Sequence, residues 1–333
     1  MSPSLLDVGY RHWNGTVRPV WARRATVAGH TLRSCLHGRF IRFLLGISWV
    51  LSLATVAAYF AIGQILVPDG LLQPLINLLP GRGRQVVDGV SAWLALYPDI
   101  TVRAVAGFLL LHLSGLLKTI SFLIITITLP RLITRDLASN AIIVYSSRAI
   151  SRLDYLLGKL LGLLGVLSLC WLGPVIAVWI LGNVVAPDWA FFWHSRSGLG
   201  HALIAIIPAM TATALVVLAI SALSSNGRVT VATWLGFWLL PVALVPLARL
   251  TRPWLAYLSF SHDVEQWSLA VFLPYRDFAR ARDSLPFFNI VFGGVDSSAI
   301  QSWGEVPLLA PGIGLLLAAT LAILILFRRI RTR

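Results

Sequence analysis

"LITRDLASNAIIVYSSRAISRLDYLLGKLLG" occupies residues 132–162, between two apolar runs that are each long enough to cross a bilayer. Ile133, Leu137, Ala141 and Val144 recur at helical spacing, while Arg135, Asp136, Ser139 and Asn140 take the other faces. A break follows near "YSSRAIS". Ser151 and Asp154 then have the S-x-x-[DE] spacing of a helix capping box, directly before "YLLGKLLGLLG". The segment is expected to form a short amphipathic helix, a break, and a helix that starts at Ser151 ahead of the membrane. Periodicity alone fits two uses: a surface helix that anchors its loop through arginines, or a docking element for a soluble partner.

The rest of the chain is far more apolar. Hydrophobic residues make up 57% of the 333, charged residues only 12%, and the mean hydropathy is +0.81. A soluble domain carries about 25% charged residues, so this chain lacks the polar surface to face water. It reads as all-α and polytopic, because strand-like alternation is absent and lipid requires every backbone group to be bonded internally. Six spans of about the needed 20 residues are expected near 43–66, 104–129, 156–183, 200–223, 229–250 and 305–327. Together they form a transmembrane domain over 43–333, preceded by a basic arm over 1–42.

Although the net charge is +14, the basic residues sit at the ends of apolar runs, which argues for membrane orientation and against nucleic acid. With the N-terminus inside, segments 1–42, 130–159, 224–228 and 328–333 hold 17 of the 27 basic residues. Ten of the thirteen acidic residues fall on the opposite side. Both termini are therefore expected in the cytoplasm, with the chain in the cell's inner (cytoplasmic) membrane. The first span begins too late and runs too long for a cleavable signal.

Within the arm, "AGHTLRSCLHGRFIRF" (28–43) puts Leu32, Cys35, Leu36 and Phe40 on one stripe, as in a helix lying along the inner surface. The external loops, 67–103 and 251–304, are too apolar for plain solvent loops. They suggest short interfacial or re-entrant helices. Trp189 and Trp193 read as interface-belt aromatics. Cys35 and Cys170 cannot sensibly pair, and the seven histidines show no ligand spacing, so no metal site is expected.

One charge falls near the middle of a span. Lys118, in "LLHLSGLLKTISFLI", would cost about 2.5–3.5 kcal/mol there on insertion scales, so it should face a cavity or a partner. No acidic residue lies clearly within a predicted span to pair with it, since Glu305 only begins the last one. Lys118, with His112, is a candidate for lining a substrate path. The alternatives are a snorkelled or carbonyl-bonded lysine at a subunit interface, or a span shifted so that Lys118 lies nearer the outer surface.

The opening segment resembles the cytoplasmic signature of ABC-2 type transporter permeases, the membrane subunits of type V-like ABC exporters. Asp136, "SNA" (139–141) and "VYSSRAISRLDYLLGK" (144–159) fall in the family's order. The six-span plan, the N-terminal surface helix and the long loop before the last span also match. Ala149 stands where many relatives have proline, and the first external loop is longer than usual.

The resemblance implies that 131–155 carries a coupling helix docked on a separate ATPase, with Arg135, Asp136, Arg148 and Arg152 facing it. Ser151 and Asp154 are assigned to the helix cap, and Lys159 to an inner-boundary anchor. It also implies a dimer of ATPase subunits and a second permease subunit, identical or not, with the path between the permease halves. ATP and Mg would be held by the partner, not by this chain. No Walker A loop exists here: the Gly158–Lys159 pair is followed by Leu and has no glycine five residues before it. The chain itself is then not an enzyme.

Rival classes are an intramembrane serine protease, a scaffold of an envelope machine and a secondary transporter. The first would use Ser114 with His112 or His201, but "LHLSG" (111–115) lacks the first glycine of the rhomboid G-x-S-G turn. The last commonly has internal repeats, and none stands out.

Overall fold

The computed structural model describes residues 19–66, 74, 77–78, 80–96, 98–141, 151–185, 190–273 and 307–330. Arg148, Val144, Ala149 and most of the second external loop lie outside the described residues. Among these residues the fold is 92% helix and contains no strand.

Helix α1 (Val20–Leu36) starts after Pro19, whose extended backbone stands at its N-cap. It leads through His37 and Gly38 into α2 (Arg39–Leu66). Outside the first span, α3 (Gly81–Leu96) precedes the long α4 (Pro98–Thr128). Pro130 closes α4 in a 3-10 turn, Leu129–Arg131, and the two-turn α5 (Ile133–Ala138) follows. Asn140, with a φ of 54°, stops that helix in a left-handed conformation that asparagine tolerates.

The third span is α6 (Arg152–Leu167), a π turn (Ser168–Leu172) and α7 (Gly173–Val185). Pro174 explains the wide turn, since its ring crowds the carbonyl four residues back and it has no N–H to donate. A Cβ on Gly173 would lie 2.7 Å from the Ser168 carbonyl oxygen, so the turn also needs a glycine. Helices α8 (Ala190–Leu223) and α9 (Gly227–Thr251) form the next two spans. A 3-10 turn (Pro253–Leu258), α10 (Phe260–Phe272) and the final span α11 (Leu309–Arg329) complete the described chain.

Six helical stretches are long and apolar enough to cross a bilayer: Arg39–Ala61, Ala106–Ala138, Arg152–Val185, Phe191–Leu223, Gly227–Thr251 and Leu309–Arg329. The chain is thus a multi-pass membrane protein, and all six overlap the spans expected from the sequence.

Helix α8 is the axis of the bundle. Its apolar window is 67% buried, against 6% for α9. Small residues account for this, since Ala202, Ala205, Ala209 and Ala214 are fully buried and let neighbouring helices approach closely. Helix α9 stands at the edge with one side covered.

Two packing arrangements position the sites. Helix α1 is not an isolated surface helix: one face lies lengthwise against the start of α6. Helix α10, from the external segment where interfacial or re-entrant helices were expected, takes the inward course and packs among α4, α8, α9 and α11. The Trp267 indole donates to the Ile204 carbonyl in the body of α8, 3.2 Å away, and Phe260 stacks edge-on to Trp238 midway along α9.

Candidate functional site

The charged segment between the second and third spans is fixed by buried polar bonds at both ends. At its start, the Ser221 hydroxyl of α8 accepts from the backbone N–H groups of Ile133 and Thr134, at 2.9 and 3.0 Å. These are donors that a helix leaves unpaired at its first turn. A serine on another span thus replaces the missing local cap. The Thr134 hydroxyl donates to the Ser221 carbonyl at 2.8 Å and meets the Thr230 hydroxyl of α9 at 3.2 Å. Ser221 and Thr230 are fully buried, and Ile133 and Leu132 beside them likewise.

At its other end, the Lys159 ammonium of α6 donates to the Asp136 carboxylate at 2.7 Å, and the Tyr155 hydroxyl donates to the same oxygen at 2.6 Å. Lys159 also donates to the Leu132 carbonyl, 3.2 Å away. Lys159 is buried, and the Asp136 side chain is only 13% exposed. Both groups are charged and removed from water, which is tolerable only because each is paired and hydrogen-bonded. Helix α5 is therefore tied directly to α6, α8 and α9, and to α4 through a four-residue turn.

The four residues expected to face an ATPase have distinct surroundings. Arg135 is exposed. Asp136 turns inward to Lys159 and Tyr155, so it holds the segment to α6 from beneath. Arg152 opens α6, and Arg148 lies outside the described residues. Lys159, expected as a boundary anchor, is instead the buried partner of Asp136.

Ser151 caps α6: the Asp154 N–H donates to its hydroxyl at 3.1 Å, and the hydroxyl donates to the Asp154 carboxylate at 2.7 Å. The second Asp154 oxygen accepts from Arg24 Nε of α1 at 2.6 Å. Arg24 begins the α1–α6 seam. A Cβ on Gly158 would lie 2.6 Å from Val27 Cβ, and one on Gly162 would lie 2.7 Å from the Ala28 carbonyl oxygen. The sequence did carry this signal, as a G-x-x-x-G spacing at 158–162 that brings helix backbones together. At the far end of the seam Cys35 is fully buried, and burial pushes its thiol up to about 11.

A second polar feature lies among α4, α9 and α10. Two cavities, of about 540 and 520 Å³, share Lys118 and Glu265 in their walls. Arg249, His262 and Trp238 join the first, while His112, Ser114 and Trp171 join the second. No acidic neighbour of Lys118 is legible in the sequence, because Glu265 falls in a segment expected as an external loop. Folding α10 inward supplies one, and the two charges share the cavities without a direct salt bridge among the described residues. The Ser114 hydroxyl accepts from the Trp171 indole N–H at 2.9 Å, and His112 Nδ1 lies 2.9 Å from its own helix's Phe108 carbonyl. No described base touches Ser114.

No group of three or more metal-ligating side chains occurs among the described residues. No protein-family model matches the chain, and no curated protein matches it at significant similarity.

Proposed function

We propose that this chain is the membrane-spanning permease subunit of an ATP-driven transporter of the ABC-2 class, an exporter whose ATPase is a separate subunit. The observation that carries this reading is the attachment of α5. A two-turn helix with an exposed arginine is joined by buried hydrogen bonds and an ion pair to the ends of α6, α8 and α9. A surface anchor needs no such attachment, whereas a helix that transmits force does. Displacing α5 must strain the ends of several spans together, because a packed core shifts as a unit. Arg135, Arg148 and Arg152 are assigned to the ATPase contact, and Asp136 to carrying the load into α6.

The arginine bias of this end supports its placement in the cytoplasm, in the cell's inner membrane. The segment resemblance described above favours the ABC-2 class.

The exposed face of α4 and α10 supports a second permease subunit. His112, Thr119 and Glu265 are exposed in the single chain, beside Lys118. Ionisable groups beside spans almost always face a protein interior or a watered cavity. A second subunit on this face would enclose the two cavities as the transport path, with Lys118 and His112 in its wall.

The test is co-purification. The tagged chain, expressed with the ATPases of its own genome, is expected to retain one, and Arg135→Glu with Arg148→Glu is expected to release it. Failure of every ATPase to bind, or binding unaffected by both changes, would return the segment to a surface-anchoring role.

A further inference from the structure

Beside the α1–α6 seam, α1, the α4–α5 connection and α5 border an open cavity of about 470 Å³. Its walls are His30, Arg33, Ser34 and His37 on one side, and Arg131 and Arg135 on the other. Three guanidinium groups thus border one space, and no described carboxylate lines it. The closest acid in sequence, Asp136, is already held by Lys159 and Tyr155. Arg131 is fixed in place, since its Nη1 donates to the Ser34 carbonyl at 3.2 Å. Converging positive groups repel one another unless an anion lies between them, and guanidinium forks suit phosphate oxygens.

The location narrows the choice of anion. The cavity opens where α4 ends at Thr128 and where α2 begins at Arg39, at the boundary of two spans. Phe40 and Phe43, in the first turns of α2, are 58% and 62% exposed, as side chains facing hydrocarbon would be. The pocket thus sits at headgroup depth, where basic pockets beside spans bind anionic lipid.

We propose that this pocket binds the phosphate of an anionic phospholipid headgroup, with Arg33, Arg131 and Arg135 as its charge partners. His30 and His37 offer ring nitrogens to the remaining headgroup oxygens. This inference shares Arg135 with the proposed ATPase contact but does not rest on it, since it is tested on the chain in lipid without any ATPase.

The experiment is native mass spectrometry of the purified chain, titrated separately with phosphatidylglycerol, phosphatidylcholine and inorganic phosphate. The wild type is expected to retain phosphatidylglycerol with about ten-fold preference. Arg33→Gln combined with Arg135→Gln removes two exposed arginines without touching the Arg131–Ser34 bond, and should abolish the preference. Arg33→Lys should keep most of it, and Arg228→Gln, on α9 outside the pocket, all of it. Equal retention of both lipids by the wild type would overturn the proposal. So would a preference that survives the double change. Retention of inorganic phosphate without lipid preference would assign the pocket to a soluble anion and overturn the lipid.

Discussion

The Asp136 carboxylate of α5 and the Lys159 ammonium of α6 stand 2.7 Å apart in a largely buried ion pair. Twenty-three positions separate them in sequence, yet the pair closes the segment between two spans back onto the second. Replacing Asp136 with Asn leaves Lys159 buried beside the Leu132 carbonyl and the Tyr155 hydroxyl with no counter-charge. Losing one partner of a buried pair costs about 3–5 kcal/mol. Thermal unfolding in detergent is expected to fall clearly in Asp136→Asn and to recover in Asp136→Leu with Lys159→Met. Equal stability of all three would mean that the pair is not a structural element.

The seam between α1 and α6 can be followed through Cys35. In a Cys170→Ala background, the Cys35 thiol is buried and pushed up to about 11. At pH 7 it is protonated and inaccessible, so maleimide labelling should be negligible. Raising the pH toward 11 increases the thiolate fraction but not the access. Gly162→Leu forces a side chain into the Ala28 carbonyl and Thr31, and is expected to expose Cys35 to rapid labelling at pH 7. Unchanged labelling would show that α1 tolerates separation from α6.

These two sites differ in how far the sequence revealed them. The spans, the capping box at Ser151 and Asp154, and the start of the short helix after Pro130 were legible, because each depends on residues within one or two turns. The end of that helix was not, since Ala141 was read onto its stripe whereas the helix ends at Ala138 and Asn140 turns left-handed. The partner of Asp136 was not, since Lys159 sits at a span boundary where a snorkelled lysine is the ordinary expectation. Glu265 was hidden for another reason. Its helix is short and amphipathic, and nothing local says whether such a helix lies on the interface or folds in beside α4. Gly158 and Gly162 carried a spacing signal for close helix contact, but the identity of the partner helix, α1, is a tertiary fact.

Ser221 offers a cleaner test of α5. Its hydroxyl accepts two backbone N–H groups in a fully buried site. Ser221→Ala leaves those donors unsatisfied, at about 1–3 kcal/mol, without changing any surface charge. Amide exchange at Ile133 and Thr134 is expected to accelerate, while α9 and α11 stay protected. Uniform protection would mean that α5 is held by packing alone.

The exposed polar face of α4 makes a separate prediction. Thr119→Cys, placed beside Lys118 on that face, is expected to form a disulfide-linked dimer of the chain in native membranes. Leu316→Cys, exposed on α11, should not. The absence of cross-linking at residue 119, with its thiol shown to react in the same membranes, would remove the second copy from this face.

The most direct measurement is ATP turnover in lipid nanodiscs by the complex of the chain with its co-purified ATPase, comparing wild type, Asp136→Asn and Ser221→Ala. If α5 carries motion into the spans, both variants keep the ATPase bound while transport-coupled turnover drops about ten-fold, the effect of 1.4 kcal/mol. Turnover at the wild-type level in both, with the ATPase still bound, would contradict the coupling role of α5.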